Sequence, residues 1–353
     1  MFTPVQVIDK VRESQTIYSF YLKSLDEKPL APYRPGQHVL VRLSLPGQVN
    51  PVLRSYILST APGQPHYRIT VKREGNHTSP GIASAFLHDQ VFPGDTLWIS
   101  EPQGAFVLPT ASRRPVVLVS AGVGITPMLS MLETIAQEPN PRSVWFFHGS
   151  RNNEVQPMSK LVRALACEHS HIQVFIHHSQ PFEHEIIGED YDTRGRIDLD
   201  FLKRHLPTAD ADFYLCGPGS FVNVLTEGLK LWGGTDAQLA YEYFGTDQST
   251  AVPDQEINRI PSANVPNSLI RRVSLVRSNQ SFVWNDTDGS ILDLLESQNI
   301  FPPSSCRQGT CMSCSTSLLS GTIRYSPEPF AEPFEGEILI CCAQPQTDIE
   351  LDL

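Results

Sequence analysis

Apolar and polar residues alternate in short runs through the first 110 positions, as in Val5-Gln-Val-Ile and His38-Val-Leu-Val-Arg-Leu. Turn clusters such as Tyr33-Arg-Pro-Gly-Gln37 and Pro93-Gly-Asp95 separate the runs. A period of two broken by frequent turns predicts an antiparallel β-barrel. Over residues 111–245 the rhythm changes. Apolar runs at Val116-Val-Leu-Val, Ser143-Val-Trp-Phe-Phe and Asp212-Phe-Tyr-Leu alternate with helical patterns over Met128 to Gln137 and Met158 to His169. This alternation predicts an α/β domain, a parallel sheet with helices on its faces. Residues 246–267 turn to Asp, Gln, Ser, Asn and Pro without apolar periodicity, which reads as a linker. Residues 268–353 then form a third region.

Composition agrees with two or three soluble domains: the chain has 353 residues, 40% of them apolar. A net charge of −11 argues against nucleic acid as a partner, because phosphate binding wants a basic face. From Asn267 onward five Arg face eleven Asp plus Glu, so the last region is the denser acid surface. That surface either keeps the protein soluble or meets a basic patch on a partner. Seven cysteines make an odd set for a disulfide framework and point to a reducing, cytoplasmic compartment. The first ten residues show no basic segment followed by an apolar run, so no signal peptide is expected. Pro115 to Leu132 is uncharged for eighteen residues, but Gly122, Gly124 and Pro127 interrupt it. It reads as strand, turn and helix rather than a membrane span.

The chemistry concentrates in Cys306-Arg-Gln-Gly-Thr-Cys311-Met-Ser-Cys314, answered downstream by Cys341-Cys342. Three cysteines at C-x4-C-x2-C with a fourth far along the chain is the plant-type 2Fe-2S spacing. Structural zinc sites usually pair two short hooks from separate places, which fits less well. Gly309 would let the loop wrap closely around a cluster. Together with Gly289 to Glu296 ahead of the cysteines and Leu318 to Gly321 after them, the region resembles a plant-type ferredoxin domain. The resemblance implies an α+β, β-grasp-like fold with Cys306, Cys311, Cys314 and Cys341 as iron ligands and Cys342 as a bystander. Met312 stands where many relatives carry Gly.

In the barrel region, Arg54-Ser55-Tyr56-Ile57 precedes Ile69-Thr-Val71-Lys72-Arg73, and then Gly81-Ile-Ala83-Ser84 opens a helical run. An Arg pairs well with a phosphate, a Tyr lies well against a flat ring, and a glycine-led helix start suits a pyrophosphate. Alone, a Gly-x-x-Ser before a helix is more often just a capped start. After the barrel, Ala121-Gly122-Val-Gly124-Ile-Thr126-Pro127 joins a strand to a helix, and Cys216-Gly217-Pro218 ends another strand. Tyr241-Glu242-Tyr243-Phe244-Gly245 closes the domain. A small buried thiol and core aromatics are the plainer readings of these last two.

In order and spacing these motifs resemble the ferredoxin–NAD(P)H reductase family. The resemblance implies that Arg54, Ser55, Tyr56, Ile57, Val71, Lys72, Gly81, Ala83 and Ser84 hold a flavin. It also implies that Gly122, Gly124, Thr126, Pro127, Cys216, Gly217, Pro218 and Phe244 (or Tyr243) serve nucleotide and flavin, with Cys216, Glu242 and position 57 at the reacting end. Pro102-Gln-Gly-Ala-Phe106 resembles the turn of FAD-binding rather than FMN-binding members. Ile57 departs from the family's hydroxyl residue; it has no donor for a hydrogen bond near flavin N5. Ser150 and Arg151, after the strand ending at His148, fall where the family would bind a 2′-phosphate, but no following Lys or Tyr completes its usual NADP cluster, which favours NADH over NADPH. The eleven histidines form no metal-like pattern, and His177 and His178 point to opposite faces of a strand.

Taken together, the resemblance implies an NAD(P)H-dependent oxidoreductase that passes electrons through FAD and a 2Fe-2S cluster to an oxygenase partner, Rieske-type or a related monooxygenase. A stand-alone diaphorase for nitric-oxide-related, quinone or ferric acceptors is a second reading. A redox-sensing binding module and a cofactor-free adaptor are two more.

Overall fold

The computed structural model describes residues 2–26, 28–46, 51–75, 82–109, 112–244 and 271–353, the last range without 287, 299, 301, 303, 305–308, 310–313, 327 and 330–332. The expected linker, Gly81, Gly245, Cys306, Cys311 and Met312 lie outside the described residues. The chain divides into two compact units, Met1–Phe244 and Gly245–Leu353.

Period-two patterning in the first region builds β1 (Phe2–Arg12), β2 (Ile17–Ser24), β3 (His38–Leu43), β4 (Val52–Ile57) and β5 (Tyr67–Lys72). Helix α1 (Ile82–Gln90) and β6 (Thr96–Ser100) follow. The antiparallel sheet runs β4-β3-β6-β1-β2-β5. A Leu58–Ile69 bridge joins the residue after β4 to β5 at the two ends of the sheet, so it is a barrel nearly closed. Inward positions such as Val5, Val7, Phe20, Leu22, Val39 and Val41 are buried in one core with Leu87 of α1. Burial of each large side chain stabilises the fold by about 1.5–3 kcal/mol. Lys10 fixes the far end of α1. Its ammonium donates to the carbonyls of Leu87 (3.3 Å), His88 (2.6 Å) and Val91 (2.8 Å). These are carbonyls that a helix C-terminus leaves without partners.

The second region reads β7 (Val116–Ala121), α2 (Ile125–Ala136), β8 (Val144–Ser150), α3 (Ser159–Glu168), β9 (Ile172–His178) and β10 (Thr193–Arg194). It continues with α4 (Leu199–His205), β11 (Asp212–Gly217), α5 (Gly219–Trp232) and β12 (Leu239–Tyr243). The sheet is parallel, in the order β10-β9-β8-β7-β11-β12. From β7 the chain builds outward through β8, β9 and β10, then returns to the other side of β7 as β11. Such a reversal opens a crevice at the carboxyl ends of β7 and β11, where ligands bind in sheets of this kind. Helix α2 starts at Ile125, three residues before the apolar period at Met128 becomes visible. Pro127 is accepted in its first turn because no intrahelical bond is asked of its missing N–H there.

A buried ion pair ties barrel to sheet. Arg68 of β5 meets Glu133 of α2 at 3.1 Å, with side chains 7% and 16% exposed. The other Glu133 oxygen accepts from Ala61 N at 2.8 Å, and Ser130 donates to Thr60 O at 2.5 Å. Removing one member of such a pair leaves the other charge buried alone. Glu133→Ala is therefore expected to cost about 3–5 kcal/mol of stability, read as a lower urea midpoint for the Met1–Phe244 unit.

The second unit holds β13 (Arg271–Leu275), β14 (Gln280–Trp284), α6 (Ile291–Ser297), β15 (Ser315–Ser320), β16 (Ile323–Tyr325), β17 (Glu337–Leu339), β18 (Ala343–Pro345) and β19 (Ile349–Leu351). A mixed sheet runs β14-β13-β19-β15-β17, with β13 and β19 parallel. The β16–β18 pair lies apart from it. Helix α6 starts on a reciprocal cap: the Ser290 hydroxyl accepts from Asp293 N (3.2 Å) and the Asp293 carboxylate accepts from Ser290 N (2.9 Å). Its Leu292 and Leu295 pack with Trp284, Ile340 and Cys342 in the core of this unit.

Candidate functional site

The carboxyl end of β7 runs into a 3-10 turn, Gly122–Gly124, and directly into α2. Gly124 presses on the end of β11: a Cβ there would lie 2.3 Å from Cys216 O and 2.6 Å from Cys216 C. Thr126 donates to Val123 O at 3.0 Å and so rigidifies the turn. No side chain caps the start of α2; in that turn Ile125 N–H already donates to the Gly122 and Val123 carbonyls and Pro127 has none, so the helix end offers a ligand oxygen its positive dipole end rather than a full set of N–H groups. The fold therefore brings Gly122, Gly124, Thr126 and Pro127 together with Cys216, Gly217 and Pro218. Such a close, side-chain-free approach fits a dinucleotide pyrophosphate.

Ser120, Cys216 and Glu242 stand in register across β7, β11 and β12. Cys216 is fully buried, and burial, with Glu242 nearby, pushes its thiol well above the usual range. A neutral thiol is thus held at this strand end. Phe244 N–H donates to Gly217 O at 2.8 Å, which fixes that aromatic beside the Cys216–Gly217 turn. Tyr243 faces the other side, its hydroxyl donating to Asn223 Oδ1 at 2.7 Å. At the end of β8, Ser150 is half-buried and Arg151 exposed.

On the barrel, β4 presents Arg54 outward and half-buries Ser55 and Tyr56, while Ile57 is only 4% exposed. Arg54 donates to Leu53 O at 2.7 Å. Burial pushes the Tyr56 phenol well up, so it stays neutral. Val71 is in the barrel core and Lys72 pairs with Glu74 at 3.2 Å. Ala83 and Ser84 are buried in α1, and the Ser84 hydroxyl accepts from Glu74 N at 3.0 Å, joining the helix to the strand before it.

In the second unit Cys314 and Cys341 are both buried. Gly309 N–H donates to Cys341 Sγ at 3.3 Å. Gly309 has φ +66°, and a Cβ on it would lie 2.5 Å from Pro329 Cβ and 2.8 Å from Cys342 Sγ. Cys342 donates instead to Leu339 O at 3.4 Å, and Cys341 beside it, together with burial, pushes its thiol far up. A backbone N–H aimed at the sulfur of Cys341, across a cradle that a side chain would fill, suits a thiolate-ligated cluster. Cys306 and Cys311 lie outside the described residues.

The histidines have separate fates. His178 Nδ1 meets Glu185 Oε2 at 2.6 Å in a fully buried pair, whereas His177 sits edge-on to Phe201 with ring centroids 4.2 Å apart. His148, at the end of β8, was not singled out from sequence beyond marking where its strand ends. Its Nδ1 lies 2.8 Å from Ser120 Oγ and its Nε2 3.3 Å from Ser150 Oγ. The available signal was the appearance of Ser and His at the closing positions of two otherwise apolar strands. Among the described residues no helix is long and apolar enough to cross a membrane.

Comparison with known proteins finds two domain families along the chain. The oxidoreductase NAD-binding domain family matches residues 118–227, and the 2Fe-2S iron–sulfur cluster binding domain family matches 274–346. A flavohemoprotein of Bacillus cereus (strain ATCC 10987 / NRS 248) is 40% identical over 240 residues, 68% of this chain and 60% of its own length. The chain thus spans about 60% of the length of the curated relatives it matches. The flavohem-like FAD/NAD-binding domain of nitric oxide dioxygenase from Vibrio cholerae O1 biovar El Tor is 32% identical, with TM-score 0.63, over 69% of this chain and 99% of that one. Phthalate dioxygenase reductase, a modular structure for electron transfer from pyridine nucleotides to [2Fe-2S], is 25% identical with TM-score 0.68, over 100% of this chain and 98% of that one. The chain belongs to the FAD/NAD-binding reductase family, as an NAD(P)H-dependent oxidoreductase with a C-terminal 2Fe-2S ferredoxin domain like that of phthalate dioxygenase reductase.

Proposed function

We propose that this reductase takes electrons from NADH and delivers them through FAD and the cluster to an oxygenase component. When bound, the nicotinamide supplies a hydride, the flavin converts two electrons into single ones, and the cluster relays them one at a time. The observation that carries the oxygenase reading is the likeness to a dioxygenase reductase across the full length of this chain, its C-terminal cluster domain included.

The residues have distinct tasks in this reading. Arg54 and the start of α1, with Gly81, Ala83 and Ser84, hold the flavin's phosphates, while Ser55, Tyr56, Val71 and Lys72 border the rest of it. Ile57 packs without donating a hydrogen bond. The Gly122 to Pro127 turn holds the nucleotide pyrophosphate. Cys216, Gly217 and Pro218 shape the nicotinamide end, with Glu242 behind and Phe244 beside it, and the neutral Cys216 thiol adds no charge there. Cys306, Cys311, Cys314 and Cys341 hold iron.

A second reading, electron delivery straight from the flavin to a nitric-oxide-related acceptor, is favoured by the 40% identity to a flavohemoprotein and the 32% identity to the FAD/NAD-binding domain of a nitric oxide dioxygenase. A cluster-free variant separates the two. Cys314→Ser is expected to keep NADH–ferricyanide turnover and to lose NADH-dependent reduction of an oxygenase component. Undiminished reduction of the acceptor by that variant would favour direct delivery from the flavin.

NADH is the preferred donor in this reading because Arg151 is exposed at the β8 end and no Lys or Arg occurs in the eight residues after it. A 2′-phosphate site wants positive charge beside the adenosine ribose. The expected ratio of kcat/KM is about tenfold or more in favour of NADH, a difference of roughly 1.4 kcal/mol. A ratio of one or below in steady-state assays would reassign Ser150 and Arg151 as phosphate ligands.

A further inference from the structure

Ser120, His148 and Ser150 lie on one face of the parallel sheet, at the carboxyl ends of β7 and β8. Ser120 and His148 are opposite each other in register, and Ser150 is two residues beyond His148 on the same strand. Ser120 and His148 are fully buried, and Ser150 is half-buried at the rim. The two bonds of His148, 2.8 Å from Nδ1 to Ser120 Oγ and 3.3 Å from Nε2 to Ser150 Oγ, make a continuous chain from the sheet interior to that rim.

The direction of this chain follows from what each hydroxyl needs. Among the described residues the Ser120 hydroxyl has no hydrogen-bond partner other than His148. A buried O–H left without an acceptor costs about 1–3 kcal/mol, so Ser120 donates to Nδ1. A neutral imidazole carries one proton, so it then resides on Nε2 and is donated to Ser150 Oγ. With that lone pair occupied, the Ser150 O–H has no acceptor among the described residues other than His148 and is turned outward.

We propose that His148 is a positioning residue of the nucleotide site: the Ser120–His148–Ser150 chain aims the Ser150 hydroxyl as a donor at the 2′-oxygen of the adenosine ribose. This rests on the reading that places the adenosine half of the nucleotide at the end of β8. Burial holds the His148 pKa down, at about 3, so the ring stays neutral and the chain keeps one direction at working pH. A donor serves a 2′-hydroxyl and a 2′-phosphate alike. The chain therefore sets affinity, while the charge around Arg151 sets the choice between nucleotides.

The test is a calorimetric titration of the holoprotein with NAD+ and with its 2′-deoxyadenosine analogue. Loss of one neutral hydrogen bond corresponds to about a three- to tenfold rise in Kd. That rise is expected for NAD+ with His148→Phe, Ser150→Ala and the smaller change Ser120→Ala, with no further rise when His148→Phe and Ser150→Ala are combined. For the 2′-deoxy analogue the same variants bind as the wild type does. His148→Gln, whose amide N–H falls near the place of Nε2–H, recovers most of the loss, which a purely structural role would not produce. If His148→Phe does not fold, Ser120→Ala carries the same comparison. Ser150→Ala weakened but Ser120→Ala and His148→Gln indistinguishable from wild type and His148→Phe respectively would overturn the relay. Ser150→Ala and Arg151→Ala both at wild-type Kd would instead overturn the placement of the adenosine at β8.

Discussion

Cys341→Ser is expected to abolish iron–sulfur absorbance and to take iron content close to zero, whereas Cys342→Ser keeps both. The adjacent thiols differ in what they face. Cys341 Sγ accepts from Gly309 N–H at 3.3 Å, toward the cysteine loop, while Cys342 Sγ donates to Leu339 O at 3.4 Å and is fully enclosed. Both cysteines border the apolar core that holds Leu292 and Trp284, so the contrast lies in these two bonds. A hard hydroxyl oxygen is a poor replacement for thiolate at iron, but an adequate donor to a carbonyl. Gly309→Ala should resemble Cys341→Ser. Its φ of +66° already disfavours a side chain, and the new Cβ would meet Pro329 and the Cys342 sulfur at 2.5 and 2.8 Å. The loop would have to withdraw, taking its N–H away from Cys341. Iron and acid-labile sulfide assays on the three variants decide the matter. Iron kept in Cys341→Ser and lost in Cys342→Ser would exchange their roles.

Gly124→Ala should produce the second large effect, on nucleotide use rather than on iron. Gly124 has φ −61° and ψ −5°, ordinary right-handed geometry that alanine adopts without strain. The cost is therefore steric, from a Cβ placed 2.3 Å from the Cys216 carbonyl oxygen. Backbone on both sides must move apart, shifting the α2 N-terminus from the Cys216–Gly217 strand end. A displacement near 1 Å in positioning groups costs about a hundredfold in rate, and overpacking costs about 1–3 kcal/mol of stability. The expected result is a kcat/KM for NADH lower by about two orders of magnitude, with iron content unchanged. Gly149→Ala is the control: its Cβ would meet nothing nearer than Ile197 Cδ1 at 3.5 Å, an ordinary contact. Equal losses in the two variants would show that added bulk near the sheet end, not the β7–β11 approach, is responsible.

Much of the architecture was legible because its determinants are local. Alternation with period two is enough to mark β1 and β3, since successive side chains in a strand face opposite ways. Apolar runs separated by helical patterns likewise marked the parallel sheet. Cysteine spacing named the candidate iron ligands because a C-x4-C-x2-C loop is a property of adjacent residues. The start of α2 was less visible. Glycine, threonine and proline occupy its first turn and the turn before it, where the apolar period has not begun and an intrahelical bond is not required.

What only the tertiary structure decided concerns groups remote along the chain. That Gly124 must lack a side chain depends on Cys216, which arrives by way of β11. Glu133 gains its role from Arg68 and Ala61 of the barrel, and Lys10 from the last turn of a helix more than seventy residues later. His148 becomes directional because sheet register places it opposite Ser120. Each of these depends on charge, volume or hydrogen-bond complementarity between elements brought together by folding, and no periodicity along a single element records it. Sequence by itself determined the kinds of elements, the domain types and the candidate ligands; the packing of α2 against β11, and of barrel against sheet, decided which polar groups face each other and where a side chain cannot be tolerated.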